Sequence, residues 1–326
     1  MRVRLSEKQK IVLGLVELQG DLTIQEIARL SGYKQTTIQY ALSSLKDRKV
    51  MYHRQAMIDL HRLGYSHHTV FFSVAAKQDA DTVSLVQKVA ALPHVFWLFE
   101  MAGRYQFAVS ISIRCAAHLP QFIDLLGRTL GGSLVEIAAC SQFEFRYFGR
   151  RYLLPKRFKT PILEFNVQEE VSNLDKTSER VLSLLATGEA QTAAQLSKAL
   201  GIPPATADRR RRELKENGII KAYIHWIDPT KLGRTCYIFR VNVRGVPSKF
   251  SQRLFSYLES ERDVLFGLRC VGPWDYEIGV ELESAQDVSE LANRLYQKFR
   301  EEILSVQPIP ILRYLLVRGY PRGALA

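Results

Sequence analysis

The sequence repeats itself, and the repeat limits the fold more than any other feature. Laying each residue against the one 169 positions further along gives a gapless correspondence from near residue 5 to near residue 110. Thr23, Gly32, Thr37, Leu45, Lys46, Ile58, Asp59, Leu63 and Gly64 fall on Thr192, Gly201, Thr206, Leu214, Lys215, Ile227, Asp228, Leu232 and Gly233; Val95 then meets Val264 and Gly103 meets Gly272. Turn glycines coincide as well as apolar positions, which two unrelated amphipathic patterns would not produce. The halves therefore share one backbone plan with diverged surfaces. They join across a linker expected at 155–173, where PKRFKTP runs into a polar stretch.

Each half begins with helices. Over 1–60, Ile11, Val12, Leu15 and Val16 recur at helical spacing behind Ser6 and Gln9, a capping-box pair. A second helix starts after Thr23, Gly32 breaks it, and a third runs from about Gln35 to Arg48 with Ile38, Ala41, Leu42 and Leu45 inward. Over 174–229, Asp175 caps the first helix, Thr192 begins the second, Gly201 supplies the turn, and Pro203 and Pro204 open the third. Gly218 stops that helix, and IIKAYIHWID alternates as a strand or wing. Helix, short helix, turn, helix is a helix-turn-helix module, here winged.

Each half continues in the order β-α-β-β-α-β, over 61–154 and 230–326. Strands are expected at Tyr65–Ala76, Val95–Met101, Gln106–Ile113 and 138–148, then at Thr235–Val243, Val264–Cys270, Asp275–Leu282 and 308–318. Helices fit 79–92, 117–130, 248–260 and 286–301. That order is the ferredoxin-like split βαβ unit, whose sheet has one helix-covered face and needs a partner for the other. The fold class is α+β: two tandem copies of a winged helix-turn-helix plus a ferredoxin-like domain.

The third helices carry the candidate chemistry. A reading helix needs donors for base edges at its N-terminal end and basic groups on its flank for phosphates. Lys34, Gln35, Thr36, Thr37 and Gln39 supply that set in the first copy, with Lys46, Arg48, Lys49 and Arg54 as phosphate contacts. In the second copy Thr206, Arg209 and Arg210 are the candidates. Four consecutive arginines cannot all face one groove, since each step turns the helix by about 100°. Arg209 and Arg210 are expected nearest DNA, with Arg211 or Arg212 paired to Glu213 or Glu216. Charge agrees: residues 1–160 carry 22 basic and 12 acidic side chains, the remainder 23 and 21. A solvated helix face in a scaffold that has lost DNA binding is the competing reading.

Cys115, Cys140, Cys236 and Cys270 are too far apart in sequence for a short metal-ligand motif, so no metal or cofactor is expected, and they read as small buried hydrophobes in a reducing compartment. MRVRLSEKQK lacks a secretory apolar stretch, and no run approaches the ~20 apolar residues of a membrane span. A cytoplasmic chain without membrane contact is expected. The aromatic run FEFRYFGRRY, Phe143 to Tyr152, reads as an edge strand with a basic tail.

The second half resembles the leucine-responsive regulator/AsnC family of feast-or-famine transcription factors. The residues that carry the resemblance are LDKTSERVLSLL (174–185), LSKALGIPPATADRRRRELKENGIIKAYIHWIDPTKLG (196–233) and VLFGLRCVGPWDYEIGV (264–280). The first half matches through the repeat, with IDLHRLGY (58–65), although its AGRYQFAVSI (102–111) has Gln106 where the second has Asp275. The resemblance implies a sequence-specific transcriptional regulator of double-stranded DNA whose ferredoxin-like domains dimerise sheet to sheet. Two modules in one chain then form an intrachain pseudo-dimer, tethered at high effective concentration, with homo-oligomers such as larger rings left open. It also implies a small-molecule effector such as an amino acid near Gly272, Trp274 and Asp275, with Gly103 at the equivalent turn. The alternative at those turns is plain hairpin geometry.

An enzyme is the other alternative. The layout is similar to that of the siroheme decarboxylases, which act on an anionic tetrapyrrole, and His53, His61, His67 and His68 cluster in sequence. Against this, His67 and His68 would point to opposite faces of a strand, and no nucleophile or metal spacing accompanies them. No catalytic residue is assigned.

Overall fold

The structure is a computed structural model and describes residues 2–75, 79–167, 171–245 and 249–320. Its first copy comprises α1 (Glu7–Glu17), α2 (Ile24–Ser31), α3 (Gln35–Asp47), β1 (Met51–Ile58), β2 (Ser66–Val74), α4 (Asp79–Ala90), β3 (Val95–Met101), β4 (Phe107–Ile113), α5 (His118–Leu130), β5 (Leu134–Tyr147) and β6 (Leu163–Asn166). The second comprises α6 (Lys176–Thr187), α7 (Ala193–Leu200), α8 (Pro204–Glu216), β7 (Ile220–Ile227), α9 (Pro229–Leu232), β8 (Thr235–Val243), α10 (Phe250–Ser260), β9 (Val264–Val271), β10 (Tyr276–Leu282), α11 (Ala285–Lys298) and β11 (Ile303–Val317). The repeat holds to the last strand, because β5 and β11 begin 169 residues apart.

Helix starts lie where side chains accept amide protons. Ser6 with Gln9, Thr23 with Glu26 and Thr192 with Gln195 form reciprocal capping boxes, and Asp175 caps α6. Gly32 and Gly201 end α2 and α7 at φ 74° and 68°, a left-handed conformation that a β-carbon disfavours.

The strands leaving the helices do not form separate wings. β1 and β7 pair antiparallel, Met51 against Ile227 and Ile58 against Ile220, with Gln55 opposite its own repeat counterpart Ile224. A pseudo-twofold axis passes through that pair, and one ribbon serves both modules. IIKAYIHWID is thus half of a shared ribbon rather than a local wing, since a lone strand leaves its backbone groups unpaired. The helical cores are shared in the same way. α6, α7 and α8 close on Ala56, Ile58, Leu60 and Leu63 of the first copy, and α1, α2 and α3 pack on Leu153, Leu154 and Ile227.

Strand orders β5-β2-β4-β3 and β11-β8-β10-β9 are two ferredoxin-like sheets. β3 pairs with β11 and β9 with β5, which closes eight strands into a barrel with β6 appended to β5. The sheets bury their open faces as expected and also hydrogen-bond along their edges, removing four free strand edges. Period-two alternation turns His67, Thr69 and Phe71 inward and His68, Val70 and Phe72 outward along β2. Phe71, Phe99, Met101, Tyr105, Trp274 and Ile311 fill one end of the barrel; Val70, Phe72 and Val109 pack beneath α4 and α5, and Phe239, Val241 and Ile278 beneath α10 and α11.

Three expectations are corrected. The 143–152 run is no edge with a solvated basic tail: its residues Glu144–Tyr147 pair with β6 on one side and β9 on the other, and Arg150 is 4% exposed. Arg150 donates from Nη1 to Glu17 Oε1 and from Nη2 to Glu281 Oε1, both at 2.6 Å, while the Tyr147 and Tyr152 hydroxyls donate to Glu17 and Glu281. A charge trio this buried persists because it is fully paired. The stretch 155–173 contributes β6, whose Phe165 packs on Phe145. Cys115 is exposed, whereas Cys140, Cys236 and Cys270 are buried. Ala76, the expected end of β2, and residue 248, the expected start of α10, lie outside the described residues. Among the described residues, no helix is long and apolar enough to cross a membrane.

Candidate nucleic-acid interface and interior cavity

α3 and α8 are built alike and furnished differently. The inward stripe of α3, Ile38, Ala41 and Leu45, fixes which face looks out. On that outer face Gln35, Thr36 and Gln39 are exposed and Thr37 half-buried. Tyr40 stands beside them 75% exposed, a residue the reading of donor types passed over. Lys34 occupies the N-cap without a capping hydrogen bond. Among the described residues, the side chains of Lys34, Gln35, Thr36, Gln39 and Tyr40 make no hydrogen bond or ion pair, so their donors and acceptors are available.

α8 is the reverse. Arg209 pairs with Glu213 at 2.8 Å, and Arg210 pairs with Asp175 at 2.8 Å and Glu213 at 3.7 Å. Arg211 and Arg212 pair with Asp208 at 2.7 and 3.2 Å. The expected division is inverted: Glu213 takes Arg209 and Arg210, and Asp208 takes the other two, because i to i+3 and i+4 spacing decides the partners. Arg210 is also half-buried, and Thr206 is half-buried in the position equivalent to Thr37. Exposed pairs of this kind are worth about 0–1 kcal/mol and exchange readily for phosphate.

The flanking basic residues divide too. Lys46, Arg48 and Lys49 are exposed at the C-terminal end of α3, with Arg48 donating to the Arg4 carbonyl at 3.0 Å. Lys49 holds a left-handed backbone at φ 54° where the second copy has Gly218 at φ 68°. Arg54 lies elsewhere. Its guanidinium donates to the Gln191 carbonyl at 3.0 Å and stacks over the Tyr223 ring, 5.0 Å from the centroid. Tyr223 is its repeat counterpart, so Arg54 seals the seam at the pseudo-twofold axis instead of facing outward.

The glycine turns lie at the barrel end away from the ribbon, since β2 leaves the ribbon at Ser66 and reaches them at Ser73, whose hydroxyl donates to the Arg104 carbonyl. There the Asp275 carboxylate accepts the Val243 amide at 2.8 Å, and the Gln106 side-chain oxygen accepts the equivalent Val74 amide at 2.9 Å. Glutamine thus does in the first copy what aspartate does in the second. Trp274 is 5% exposed, donating to Glu277 at 3.0 Å beneath the Arg240 guanidinium. A β-carbon on Gly272 would sit 2.8 Å from the Ala139 carbonyl. Gly103 turns at φ 96° with Ile309 nearby. Burial pushes the Glu277 carboxyl up to about 7, against the pull of Arg240.

Between ribbon and barrel lies a cavity of about 210 Å³. Its lining includes Gln55 and Trp226 of the ribbon, His61, His67 and Thr69 of the first copy, Trp97, and Tyr314. His61 and His67 meet edge to face at 4.6 Å, and burial lowers the pKa of both, keeping the imidazoles neutral. His68 points away and bonds Ser66 and Ser141, and His53 is exposed on the ribbon. The sequence cluster of four histidines therefore divides, His61 and His67 staying together and His53 and His68 apart from them. Alternate polar residues on an inward strand face, His67 and Thr69, were the legible signal for this cavity.

Residues 174–221 match the family model described as winged helix-turn-helix DNA-binding. The chain is 27% identical over 131 residues to the HTH-type transcriptional regulator FL11 of Pyrococcus horikoshii, an alignment covering 40% of this chain and 85% of that protein. It is 31% identical over 134 residues to an HTH-type transcriptional regulator of Pyrococcus abyssi, covering 39% and 84%. Among solved structures, the siroheme decarboxylase NirDL superposes with a TM-score of 0.61 at 12% identity, over 96% of this chain and 93% of that one. That last likeness is one of fold.

Proposed function

Since the chain belongs to the Lrp/AsnC-type family of helix-turn-helix transcriptional regulators, we propose that its two helices divide the reading of DNA, α3 taking base edges and α8 taking phosphates. The observation that carries this is the difference in engagement. Gln35, Thr36 and Gln39 stand exposed with no partner among the described residues, whereas the four arginines of α8 are each held by a carboxylate. Base readout needs free, oriented donors, and glutamine pairs bidentately with adenine. Phosphate contact needs charge within reach, which Arg209 and Arg210 supply by exchanging Glu213 and Asp175 for DNA, with Lys46, Arg48 and Lys49 adding charge beside α3.

Two unlike readers about one pseudo-twofold axis prefer an asymmetric site when the chain acts alone. Two associated chains would instead read a symmetric site with both readers in each half. Gly103, Gly272, Trp274 and Asp275 are occupied in closing turns, so a small-molecule input is sought elsewhere. The enzyme reading loses ground to the same geometry. His61, His67 and His225 line the cavity while His53 and His68 do not, and the four carboxylates Glu17, Glu144, Glu277 and Glu281 outnumber the two guanidiniums Arg150 and Arg318 there, an acidic excess that disfavours a polycarboxylate.

Anisotropy titrations of a selected duplex at two salt concentrations test this. Arg209→Ala with Arg210→Ala is expected to reduce the salt slope by about 1 for each arginine, and Gln39→Ala to leave it unchanged. Equal slopes for all variants would refute the division.

A further inference from the structure

We propose that the cavity under the ribbon is a binding site for an uncharged, planar heteroaromatic molecule of one or two fused rings, hydrogen-bonded along the edge that faces the first copy. The repeat supplies the first reason. His67, Thr69 and Gln142 line the cavity from the first copy, and their counterparts 169 positions on, Cys236, Ile238 and Ile311, line it from the second. At these three positions the first copy's wall is polar and the second's apolar, while Glu277 and Glu281 also face the cavity from the second copy. A cavity that served only packing would be apolar on both sides, since buried polar groups are costly without partners.

The polar wall is braced and yet incomplete. Gln142 Nε2 donates to Thr69 Oγ1 at 2.8 Å, and the Ser112 hydroxyl holds His67 Nδ1 at 2.7 Å. Gln142 Oε1 and His67 Nε2 find no partner among the described residues, so one acceptor and one ring nitrogen remain on the cavity side. Bracing of this kind fixes the rotamers that would meet a ligand.

Size, shape and charge narrow the occupant. About 210 Å³ modestly exceeds the roughly 150 Å³ cavity that holds benzene, which suits one ring or a fused pair. Trp226 meets Trp97 and Tyr314 edge to face, with centroids 5.9 and 5.0 Å away, a frame that suits another flat ring. The charged lining offers nothing to an ion. Arg150 is taken by Glu17 and Glu281, Glu144 by Arg146, Glu277 accepts from Trp274 beneath Arg240, Arg318 is itself engaged, and burial keeps His61, His67 and His225 neutral. A zwitterionic amino acid would leave both its charges unmatched.

Titration of the full chain, free of DNA, tests the site with indole as probe, its carbocyclic isostere indene as the apolar control, and L-tryptophan as the charged one. Calorimetry is expected to show one indole per chain, saturating below about 1 mM, with indene at least tenfold weaker and L-tryptophan silent. With the tryptophans fluorinated, ¹⁹F resonances of Trp97 and Trp226 should shift on indole addition. Thr69→Val, similar in shape but leaving the Gln142 amide and the Ser110 hydroxyl without their partner, should bring indole and indene within threefold at a modest cost in melting temperature. Absence of saturable indole binding, indene as tight as indole, tighter L-tryptophan, or a Thr69→Val protein with unchanged preference would each overturn the proposal. The wild-type comparison of three probes stands even if the variant misfolds. Coupling to DNA rests on the regulator reading and is read separately, as a change in duplex affinity with indole present; the ribbon forms the cavity roof and carries both reading modules.

Discussion

Two seams join the helical modules to the barrel, equivalent under the repeat and made of different chemistry. On one side Glu17, Arg150 and Glu281 form a buried ionic trio. Their counterparts on the other side are Ala186, Gly319 and Ser112. There the backbone itself closes in: a β-carbon on Gly319 would lie 2.9 Å from the carbonyl oxygens of both Ala186 and Ala56. Ser112, released from any ionic role, holds His67 instead. One backbone plan thus accepts either a fully paired charge cluster or close contact of small residues. The position equivalent to Glu281 thereby braces a side chain of the cavity wall.

The largest expected effect breaks the ionic seam. Arg150→Met leaves two carboxylates buried without their cation and should cost about 3–5 kcal/mol by chemical denaturation; a loss below 1 kcal/mol would mean that the trio contributes no more than the small-residue seam. Next comes an asymmetry in the barrel. Glu277 has Ala108 as its counterpart, and its carboxyl is raised from 4.5 to about 7 by burial. A raised folded value means that the contribution is complete below 4.5 and lost as pH rises through about 7. Stability should fall across that window by something on the order of 3 kcal/mol, and Glu277→Gln should flatten the fall. A parallel pH profile for both proteins would remove Glu277 from the account.

Gly319→Ala probes the other seam. Two backbone carbonyls must move, so a cost of about 1–3 kcal/mol is expected, read from the shift in denaturation midpoint. If alanine is neutral there, the second seam is looser than its geometry. The smallest effect has the opposite sign. Lys49→Gly, which gives the first copy the residue of the second, should raise stability by about 1 kcal/mol by relieving a left-handed lysine, while weakening duplex binding through the lost charge. A variant that gains stability with full affinity would show Lys49 to be idle at the phosphates.

Most of the fold was legible because the repeat let each copy check the other. Ser6, Thr23, Gly32, Asp175, Thr192 and Gly201 do locally what their residue types do best, and the strands follow from alternation. Pairing across the copies was not legible. The β1–β7 ribbon and the closed barrel depend on which edges meet, and a strand's sequence does not name its neighbour. Candidate reading residues were legible by type, and their availability was not. Arg209, Arg210 and Arg54 look alike as letters, yet Glu213, Asp175 and Tyr223 decide what each one does. The cavity was missed because its signal is a comparison between copies, Thr69 against Ile238 and Gln142 against Ile311, visible once the inward faces are known.

The central claim is that α3 reads sequence and α8 supplies grip. Selection of bound duplexes from a random library tests it most directly, run on the wild-type chain, on Gln35→Ala with Gln39→Ala, and on Arg209→Ala with Arg210→Ala. The glutamine variant should lose preference at one or two base pairs, each worth about 1–3 kcal/mol of discrimination, while the arginine variant keeps the wild-type preference at lower affinity. An arginine variant that changes the selected sequence, beside a glutamine variant that does not, would contradict the account.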